Sequence, residues 1–243
     1  MTYCAGLRLN KGLVLMSDTR TNAGVDNIST FKKMFTWSVP GDRVITVLTA
    51  GNLATTQAVI SLLSERMKAP EDRDPTILNA PTMFQVASII SNTLREVISN
   101  QTNGGQYASS TFSATIIVAG QVAGIEPRLF LIYPEGNFIE ASMDTPFFQI
   151  GETKYGKPIL VRGFDPDMSF ENAVKLLLLS FDSTIKANLT VDLPLDLQVI
   201  AADALDVTRE QRITADHPYY QSISSGWGVA LKDAFYSLPN FEF

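Results

Sequence analysis

The sequence predicts an α+β protein with antiparallel sheets, and the evidence is the order in which strand-like and helix-like segments occur. Strand patterns fill most of the first fifty residues, two helical patterns follow, and strands and two more helices come next, before a last strand. The hydrophobic period changes from strand-like to helical at Gly51. With 243 residues and 45% apolar content, we expect one domain, residues 1–243, with a substantial core.

The N-terminal strands are predicted from loosely alternating apolar residues that are bounded by turn signals. Asn10-Lys11-Gly12 separates the first two strands, which therefore form a hairpin. Residues 18–30 are polar and turn-rich, so we interpret them as a loop. The four strands of this region are predicted at residues 2–9, 13–17, 33–39 and 44–50.

The rest of the chain has four predicted helices and four predicted strands. Helices at residues 51–68 and 82–99 have one apolar face, and we interpret the proline-rich residues 69–81 between them as an exposed connection. Asn103-Gly104-Gly105 is predicted to end the second helix. The later elements are helices at residues 154–162 and 170–187 and strands at residues 112–119, 128–133, 137–141 and 195–202.

Two C-terminal features predict a homo-oligomer. The helix at residues 170–187 is apolar on nearly all sides, which predicts burial against more than one neighbour. We interpret residues 203–243 as a C-terminal extension that packs on the domain or on a neighbouring subunit, because its aromatic side chains are predicted to be exposed. These aromatic residues are Tyr219, Tyr220, Trp227, Phe235, Tyr236, Phe241 and Phe243.

The composition argues against several classes of partner and cofactor. The formal net charge is −6 and basic residues are thinly spread, so we expect no nucleic-acid partner. No run reaches the ~18 apolar residues that span a bilayer, and the chain does not start with a basic and then an apolar segment, so we expect a cytoplasmic protein without membrane contact. One cysteine, Cys4, and one histidine, His217, cannot form a Cys/His metal cluster. We predict no metal and no cofactor.

Thr2 is the residue with the most specific chemistry. If Met1 is removed, Thr2 becomes the N-terminus and carries both a hydroxyl nucleophile and a free α-amine. The unperturbed pKa of an α-amine is about 7.7 to 8.0, so the amine is partly neutral at cellular pH and can accept the proton of the hydroxyl. Taken alone, this signal is weak, because many cytoplasmic proteins begin with Met-Thr and have no such chemistry.

Three later residues complete a candidate catalytic site. Asp18 and Lys33 follow Thr2 by 16 and 31 positions. A protonated lysine beside the hydroxyl favours the alkoxide and keeps the amine neutral, because like charges disfavour a second ammonium, and Asp18 would orient that lysine. Gly51 lies where a strand pattern stops and a helix pattern begins, so its N–H could stabilise an oxyanion.

Each of these residues also has an ordinary structural explanation. Asp18 and Arg20 could form a surface ion pair worth about 0 to 1 kcal/mol. Lys33 could protect the edge of a sheet, and Gly51 could simply connect a strand to a helix. The combination of these residues, at these spacings in a β-rich segment, favours the catalytic interpretation.

The same residues resemble a proteasome-type β-subunit, which is an N-terminal-nucleophile hydrolase. The resemblance depends on Thr2 after Met1, the Ser-Asp-x-Arg motif at residues 17–20, Lys33 followed by an apolar residue, and the turn at Gly51. Lys33 is preferred to Lys32 for this reason, and because strand alternation places the two lysines on opposite faces. Three further segments resemble more closely the bacterial ancestral β-subunit, or Anbu, and they lie at residues 21–26, 50–57 and 149–152.

The resemblance implies a fold, an activity and an assembly. The fold is a four-layer αββα sandwich of two antiparallel sheets flanked by helices. The activity is that of a threonine peptidase, with Thr2 as nucleophile, Lys33 and Asp18 as its charged partners and Gly51 in the oxyanion hole. The assembly is a homo-oligomeric ring or spiral, and an ATPase partner is left open.

The chain also departs from the pattern of the family. Glu152, Asn188 and Val191 stand where the resemblance implies a serine, an aspartate and a second serine that support the terminal amine. Glu152 could supply a different amine contact, or it could be the acidic first-turn residue of a helix. Ser169, Thr190 and Asp192 are the alternatives for this contact.

A peptide substrate is expected to bind as an added strand between residues 21–24 and 49–51. Thr21 and Thr49 are therefore candidate substrate-binding residues, and the small, uncharged Thr49 predicts a small or apolar residue before the cut. Two other functions stay open. One is a small-molecule amidase with the same nucleophile, and the other is a non-catalytic assembly subunit that keeps the fold.

Overall fold

The structure, a computed structural model, has two five-stranded antiparallel sheets that pack face to face, with helices on their outer faces. It describes residues 2–22, 28–68, 75–102 and 111–243. The α+β class and the αββα sandwich are therefore confirmed. The strands are β1 (Tyr3–Leu9), β2 (Gly12–Asp18), β3 (Arg20–Asn22), β4 (Ile28–Thr30), β5 (Met34–Val39), β6 (Arg43–Gly51), β7 (Ala114–Val122), β8 (Arg128–Ile132), β9 (Phe138–Glu140), β10 (Phe147–Gly151), β11 (Leu195–Ala201) and β12 (Arg209–Ile213).

The first sheet has the strand order β10-β1-β2-β11-β12, and the second has the order β5-β6-β7-β8-β9. Strands β3 and β4 form a separate hairpin. The first sheet is covered by α3 and α4, with α5 packed on α4, and the second by α1 and α2. The helices are α1 (Leu53–Lys68), α2 (Met83–Thr102), α3 (Lys157–Gly163), α4 (Phe170–Ala187) and α5 (Pro218–Ser237).

Alternation along the strands divides the core into three apolar layers. Tyr3 and Ala5 of β1 belong to the layer under α4, whereas Cys4 belongs to the layer between the sheets. Because both faces of β1 are covered, nearly all of its residues are buried and its polar alternation is weak. Gly6 allows close contact between the sheets, since a Cβ atom there would lie 3.1 Å from the side chain of Leu129 in the second sheet.

Two of the predicted irregular segments contain regular or buried structure. Residues 18–30, predicted to be a loop, contain β3 and β4, which pair with each other, and residues 23–27 lie outside the described residues. The prediction that residues 69–81 are exposed is wrong for Ile77 and Ala80, which are buried in the layer under α1 and α2. Residues 69–74 and the predicted helix end at residues 103–105 lie outside the described residues.

Two further strands, β10 and β12, and helix α5 are not predicted by the sequence pattern. Strand β12 lies at the edge of the first sheet and has four exposed residues out of five, so it lacks apolar alternation. Strand β10 has only five residues. Helix α5, with 20 residues, occupies about half of the predicted C-terminal extension. Within the described chain no helix has the length and apolarity needed to span a membrane.

Helix α5 is anchored on α4 by Tyr220. The prediction that this side chain is exposed is wrong, because Tyr220 is buried and its hydroxyl donates a hydrogen bond to Asp182 at 3.2 Å. Burial and the neighbouring Asp182 raise the pKa of Tyr220. Phe235, Tyr236 and the terminal aromatic residues remain exposed.

Candidate active site

The β1–β2 hairpin brings Asp18 close to the start of the chain. The hairpin pairs Cys4 with Ser17, so the next position on each strand places Asp18 opposite Tyr3. Asp18 Oδ1 accepts a hydrogen bond from Tyr3 N at 3.0 Å. Thr2 is buried and directly precedes β1, so it lies one residue away from this contact.

Lys33 reaches Asp18 from the second sheet. Its carbonyl oxygen accepts a hydrogen bond from Thr49 N at 2.9 Å, which extends the pairing of β5 with β6. Lys33 Nζ donates to Asp18 Oδ1 at 2.8 Å and to the carbonyl oxygen of Arg20 at 2.5 Å. The side chains of Lys33 and Asp18 are only 5% and 0% exposed. This ion pair therefore connects the two sheets at the end of the sandwich where Thr2 lies, with little screening by solvent.

The environment of Asp18 changes its acidity. Burial raises the pKa of Asp18 to about 6, and the Lys33 ammonium offsets part of this effect. Asp18 Oδ2 has no hydrogen-bond partner among the described residues, and the same is true of Ser17 Oγ. The carboxylate is thus ionised and paired at neutral pH, and its second oxygen can take a proton below about pH 6.

Gly51 lies at a strand-to-helix turn, as the sequence pattern predicts. It ends β6 with φ +113°, and a Cβ atom there would lie 2.4 Å from the carbonyl oxygen of Ser113, so a larger residue does not fit. Asn52 follows and its Oδ1 atom accepts a hydrogen bond from Thr55 N at 3.1 Å, which caps the start of α1. The turn thereby places a backbone N–H and a helix start at the same end of the sandwich.

The end of β10 holds Thr2 by its backbone. The carbonyl oxygen of Thr2 accepts a hydrogen bond from Glu152 N at 2.7 Å. Gly151 has φ +82°, and a Cβ atom at this position would lie 1.9 Å from the same carbonyl oxygen. The close contact with Thr2 therefore requires glycine at position 151.

The side chain of Glu152 belongs to a small polar cluster. Glu152 is buried, and its Oε2 atom accepts a hydrogen bond from Asn188 Nδ2 at 3.0 Å. Asn188 Oδ1 in turn accepts a hydrogen bond from the Thr190 hydroxyl at 2.6 Å. Val191 is buried in the apolar core and adds no polar group to this cluster.

Two of the alternative amine contacts have other partners. Ser169 caps α4 by accepting a hydrogen bond from Asn172 N at 3.1 Å. Asp192 pairs with Arg20 at 2.5 Å. Arg20 is the residue whose importance sequence reasoning misses, because its carbonyl oxygen binds Lys33 while Asp192 binds its side chain. The Ser-Asp-x-Arg motif contains this signal.

A cleft of about 560 Å³ joins most of the predicted site residues. Asp18 lies behind Lys33 and does not line the cleft. Cys4 is buried, and desolvation raises the pKa of its thiol well above the ordinary value, so this thiol is not a rival nucleophile. In the described part of the chain, no cluster of three His, Cys, Asp or Glu side chains could hold a metal ion. The predicted site residues on the cleft wall are Thr2, Thr21, Lys33, Thr49 and Gly51.

Lys32 also lines the cleft, although strand alternation places it on the face opposite Lys33. Strand alternation does not extend to these two lysines, because β5 begins only at Met34. Residues 31–33 are not part of a strand, so neighbouring side chains need not point to opposite faces.

Comparison with known proteins agrees with this geometry. A profile of the proteasome subunit family matches residues 2–193, a range that includes Thr2, Asp18, Lys33 and Gly51. The chain belongs to the proteasome subunit family. No curated protein sequence matches it.

Several solved Anbu structures are similar to this proteasome-family chain over its whole length. Anbu from Hyphomicrobium sp. is 49% identical with a TM-score of 0.92, and the alignment covers 99% of this chain and 100% of that one. Anbu (ancestral beta-subunit) from Yersinia bercovieri is 44% identical with a TM-score of 0.92 and covers 99% and 100%. A helical assembly of the Anbu complex from Pseudomonas aeruginosa is 44% identical with a TM-score of 0.89 and covers 99% and 98%. These alignments include the C-terminal region that the family profile leaves out.

Proposed function

We propose that this chain is an N-terminal-threonine amide hydrolase that cleaves peptide or protein substrates. The observation that carries the proposal is that Thr2, Lys33 and Gly51 line one cleft, with Lys33 held by the buried Asp18. A hydroxyl at the start of a chain, a buried cation and a backbone donor are the groups that acyl transfer needs. Membership of the proteasome subunit family supports the same reaction.

The proposed reaction starts when Met1, which lies outside the described residues, has been removed. The free amine of Thr2 takes the proton of Oγ, and Oγ attacks the carbonyl carbon of the scissile amide. The Lys33 ammonium stabilises the developing alkoxide and keeps the amine neutral, while Asp18 orients Lys33. The Gly51 N–H donates to the oxyanion of the tetrahedral intermediate.

The intermediate then collapses to an acyl-enzyme. The protonated Thr2 amine gives its proton to the leaving nitrogen, the C–N bond breaks, and the acyl group remains on Oγ as an ester. The same amine then takes a proton from a water molecule, whose oxygen attacks the ester carbon. The C–Oγ bond breaks, the amine returns the proton to Oγ, and the acid is released. The residues of the chain supply every group in this sequence, so we propose no cofactor.

Glu152 is proposed to replace the serine that usually supports the terminal amine. Its backbone N–H already binds the carbonyl oxygen of Thr2, and its buried carboxylate is fixed by Asn188. Asn188 is in turn fixed by Thr190, so the carboxylate cannot rotate freely. A carboxylate close to the amine would favour its protonated form, in opposition to Lys33. The balance between these two charges would set the fraction of amine that can act as a base.

We propose that the substrate binds as an added strand beside Thr21 and Thr49, which both line the cleft. Residues 23–24 of this predicted binding segment lie outside the described residues. We also propose that the working form is a homo-oligomeric ring or spiral. The exposed aromatic side chains of α5 and the helical assembly of Pseudomonas aeruginosa Anbu support this.

Intact mass spectrometry and covalent labelling test this function together. The mass of the protein from its native cell reports whether Met1 is removed, and an electrophilic peptide analogue reports whether Thr2 reacts. We expect Thr2→Ala to lose labelling and to lower peptide turnover by at least about 10³-fold, as expected when a nucleophile is removed. Thr56→Ala is the matched control, because Thr56 lines the same cleft but its hydroxyl binds the carbonyl oxygen of Leu53.

The outcomes separate the three functions. Turnover by Thr2→Ala at the wild-type rate would show that the mechanism is wrong. A native protein that still begins with Met1 and does not label would leave only the assembly subunit. A panel that compares peptides with small acyl amides separates the peptidase from the amidase. A pH dependence of labelling that moves to lower pH in Glu152→Gln, because more of the Thr2 amine is then unprotonated at neutral pH, would support the proposed amine contact.

A further inference from the structure

The charges on the wall of the catalytic cleft are unevenly compensated. Its charged members among the described residues are Lys32 and Lys33, and no acidic residue lines it in this part of the chain. Asp18 neutralises Lys33 at 2.8 Å. Lys32 is exposed and has no hydrogen bond or ion pair within the described ranges. The cleft wall is therefore positive, although the whole chain has a formal charge of −6.

The remaining wall of the cleft does not repel a negative group. Thr21, Thr49 and Thr56 contribute neutral hydroxyl-bearing side chains, and α1 starts at the cleft with Leu53. The first turn of α1 has no acidic residue, so the partial positive charge at its start is not neutralised from within the helix. Among the described residues, Lys32 is thus the one cation of the cleft wall without an ion-pair partner.

Two described acidic residues that share a second hollow with Lys32 have other hydrogen-bond partners. Lys32 also lines a smaller hollow of about 260 Å³, together with Asp196, Glu210 and Arg212. Asp196 binds the Arg212 guanidinium through both oxygens, at 2.7 and 3.0 Å. Glu210 accepts a hydrogen bond from Gln198 Nε2 at 3.2 Å. Neither carboxylate forms an ion pair with Lys32, so its ammonium is available to a ligand in the cleft.

We infer that Lys32 selects substrates with an acidic side chain on the amino side of the scissile amide. This inference rests on the proposed function and names its substrate class. Lys32 adjoins Lys33 in the chain and lines the same cleft as Thr2, so we place the carboxylate that binds Lys32 on the residue whose carbonyl faces Thr2 Oγ. Thr49 alone indicates a small or apolar residue at this position, and the unpaired lysine replaces that expectation with an aspartate or glutamate.

Binding to the full-length Thr2→Ala protein tests the inference without turnover. Two fluorescent peptides that differ only by glutamate or glutamine before the cut are compared by anisotropy. We expect the glutamate peptide to bind about 3- to 10-fold more tightly, as for a charge-assisted contact at a partly exposed site. Adding Lys32→Gln should remove the preference, and Lys32→Glu should reverse it. Rising salt should weaken it as well.

Lys11→Gln is the matched control, because Lys11 is an exposed lysine in the turn at the opposite end of the β1–β2 hairpin from Thr2. Equal affinity for both peptides, no binding of either, or an equal loss of preference in Lys11→Gln and Lys32→Gln would overturn the inference. The wild-type protein is then given the same peptides. A retained glutamate preference without any cleavage would refute the proposed hydrolase and leave the binding inference standing, so the two failures are distinguishable.

Discussion

A buried carboxylate such as Asp18 is costly unless its charge is compensated, and here the compensation is incomplete. Lys33 and the Tyr3 N–H both bind Oδ1, whereas Oδ2 has no partner among the described residues. Removal of one member of such a pair leaves an uncompensated buried charge, which costs about 3 to 5 kcal/mol. Protonation of Asp18 therefore costs the folded state less free energy than removal of the Lys33 side chain does.

The raised pKa of Asp18 makes stability at this residue depend on pH. The pKa is about 6 in the folded protein and 3.8 in the absence of burial, so the folded state binds the proton more tightly. The contribution of this carboxyl to the free energy of unfolding is fully present below pH 3.8 and is lost as pH rises through about 6. We expect the difference in unfolding free energy between wild type and Asp18→Asn to fall by about 1 to 3 kcal/mol between pH 4 and pH 7.

Urea denaturation at a series of pH values measures this difference. Asp144→Asn is the control for removal of a single carboxylate, because Asp144 is exposed. A wild-type minus Asp18→Asn difference that stays constant from pH 4 to pH 7 would contradict the assignment. Protonation also weakens the hold of Asp18 on Lys33, so turnover should decline in parallel as pH falls below about 6.

The residues of the site differ in how far the sequence predicts them. Thr2, Asp18 and Lys33 are predicted from their spacing. They are close in the chain, and the β1–β2 hairpin and the start of β5 bring them to the same end of the sandwich. The contact of Thr2 with Glu152 joins residues 150 positions apart through the pairing of β1 with β10, which no local pattern encodes. The face on which Lys32 lies is predicted wrongly, because β5 starts at Met34 and strand alternation does not reach Lys32.

At the scale of elements, the sequence predicts those strands and helices whose burial repeats with a regular period. Helix α2 is an example, since its buried residues recur at helical spacing in the layer on the second sheet. Strand β12 and the β3–β4 hairpin are held by backbone pairing and by neighbours in space, while their exposed or polar side chains give no period. The strands and helices with such a period are therefore predicted, whereas the β3–β4 hairpin and the two edge strands of the first sheet, β10 and β12, are missed.

Strand β10 fixes the position of Thr2, and Gly151 makes this possible. Gly151→Ala would place a Cβ atom against the carbonyl oxygen of Thr2 at a backbone φ of +82°. Positive φ alone costs a non-glycine residue about 1 to 2 kcal/mol. We expect Gly151→Ala to lower the free energy of unfolding by more than this and to slow covalent labelling of Thr2, because Thr2 must move and its bond to Glu152 N is strained.

Gly124→Ala is a matched control for the cost of placing alanine at a positive φ. Gly124 has φ +77°, and a Cβ atom there meets no other atom within 4 Å. We expect this variant to lose only about 1 to 2 kcal/mol and to label at the wild-type rate. Urea denaturation and the labelling rate measure both effects. Similar losses in both variants, with unchanged labelling in Gly151→Ala, would show that β10 does not position Thr2.

At the scale of the whole molecule, the most exposed aromatic side chains among the described residues lie at the C-terminal end. Phe235 and Tyr236 at the end of α5 are 69% and 80% exposed, and Phe241 beyond the helix is 79% exposed. Large apolar side chains clustered on a surface mark an interface. A helical assembly requires a head-to-tail contact between different surfaces of identical copies, so this aromatic end would meet another face of the next copy.

Substitution of this aromatic end should therefore reduce assembly without unfolding the domain. We expect Phe235→Ser combined with Tyr236→Ser to lower the mass measured by light scattering at micromolar concentration, because two buried aromatic contacts at an interface are worth about 2 kcal/mol or more. Circular dichroism should stay unchanged, since neither side chain belongs to the three core layers. Met143→Ser, at an exposed apolar residue outside α5, should keep the wild-type mass. If the double variant also keeps that mass, the copies associate through another surface, and the aromatic end has no role in assembly.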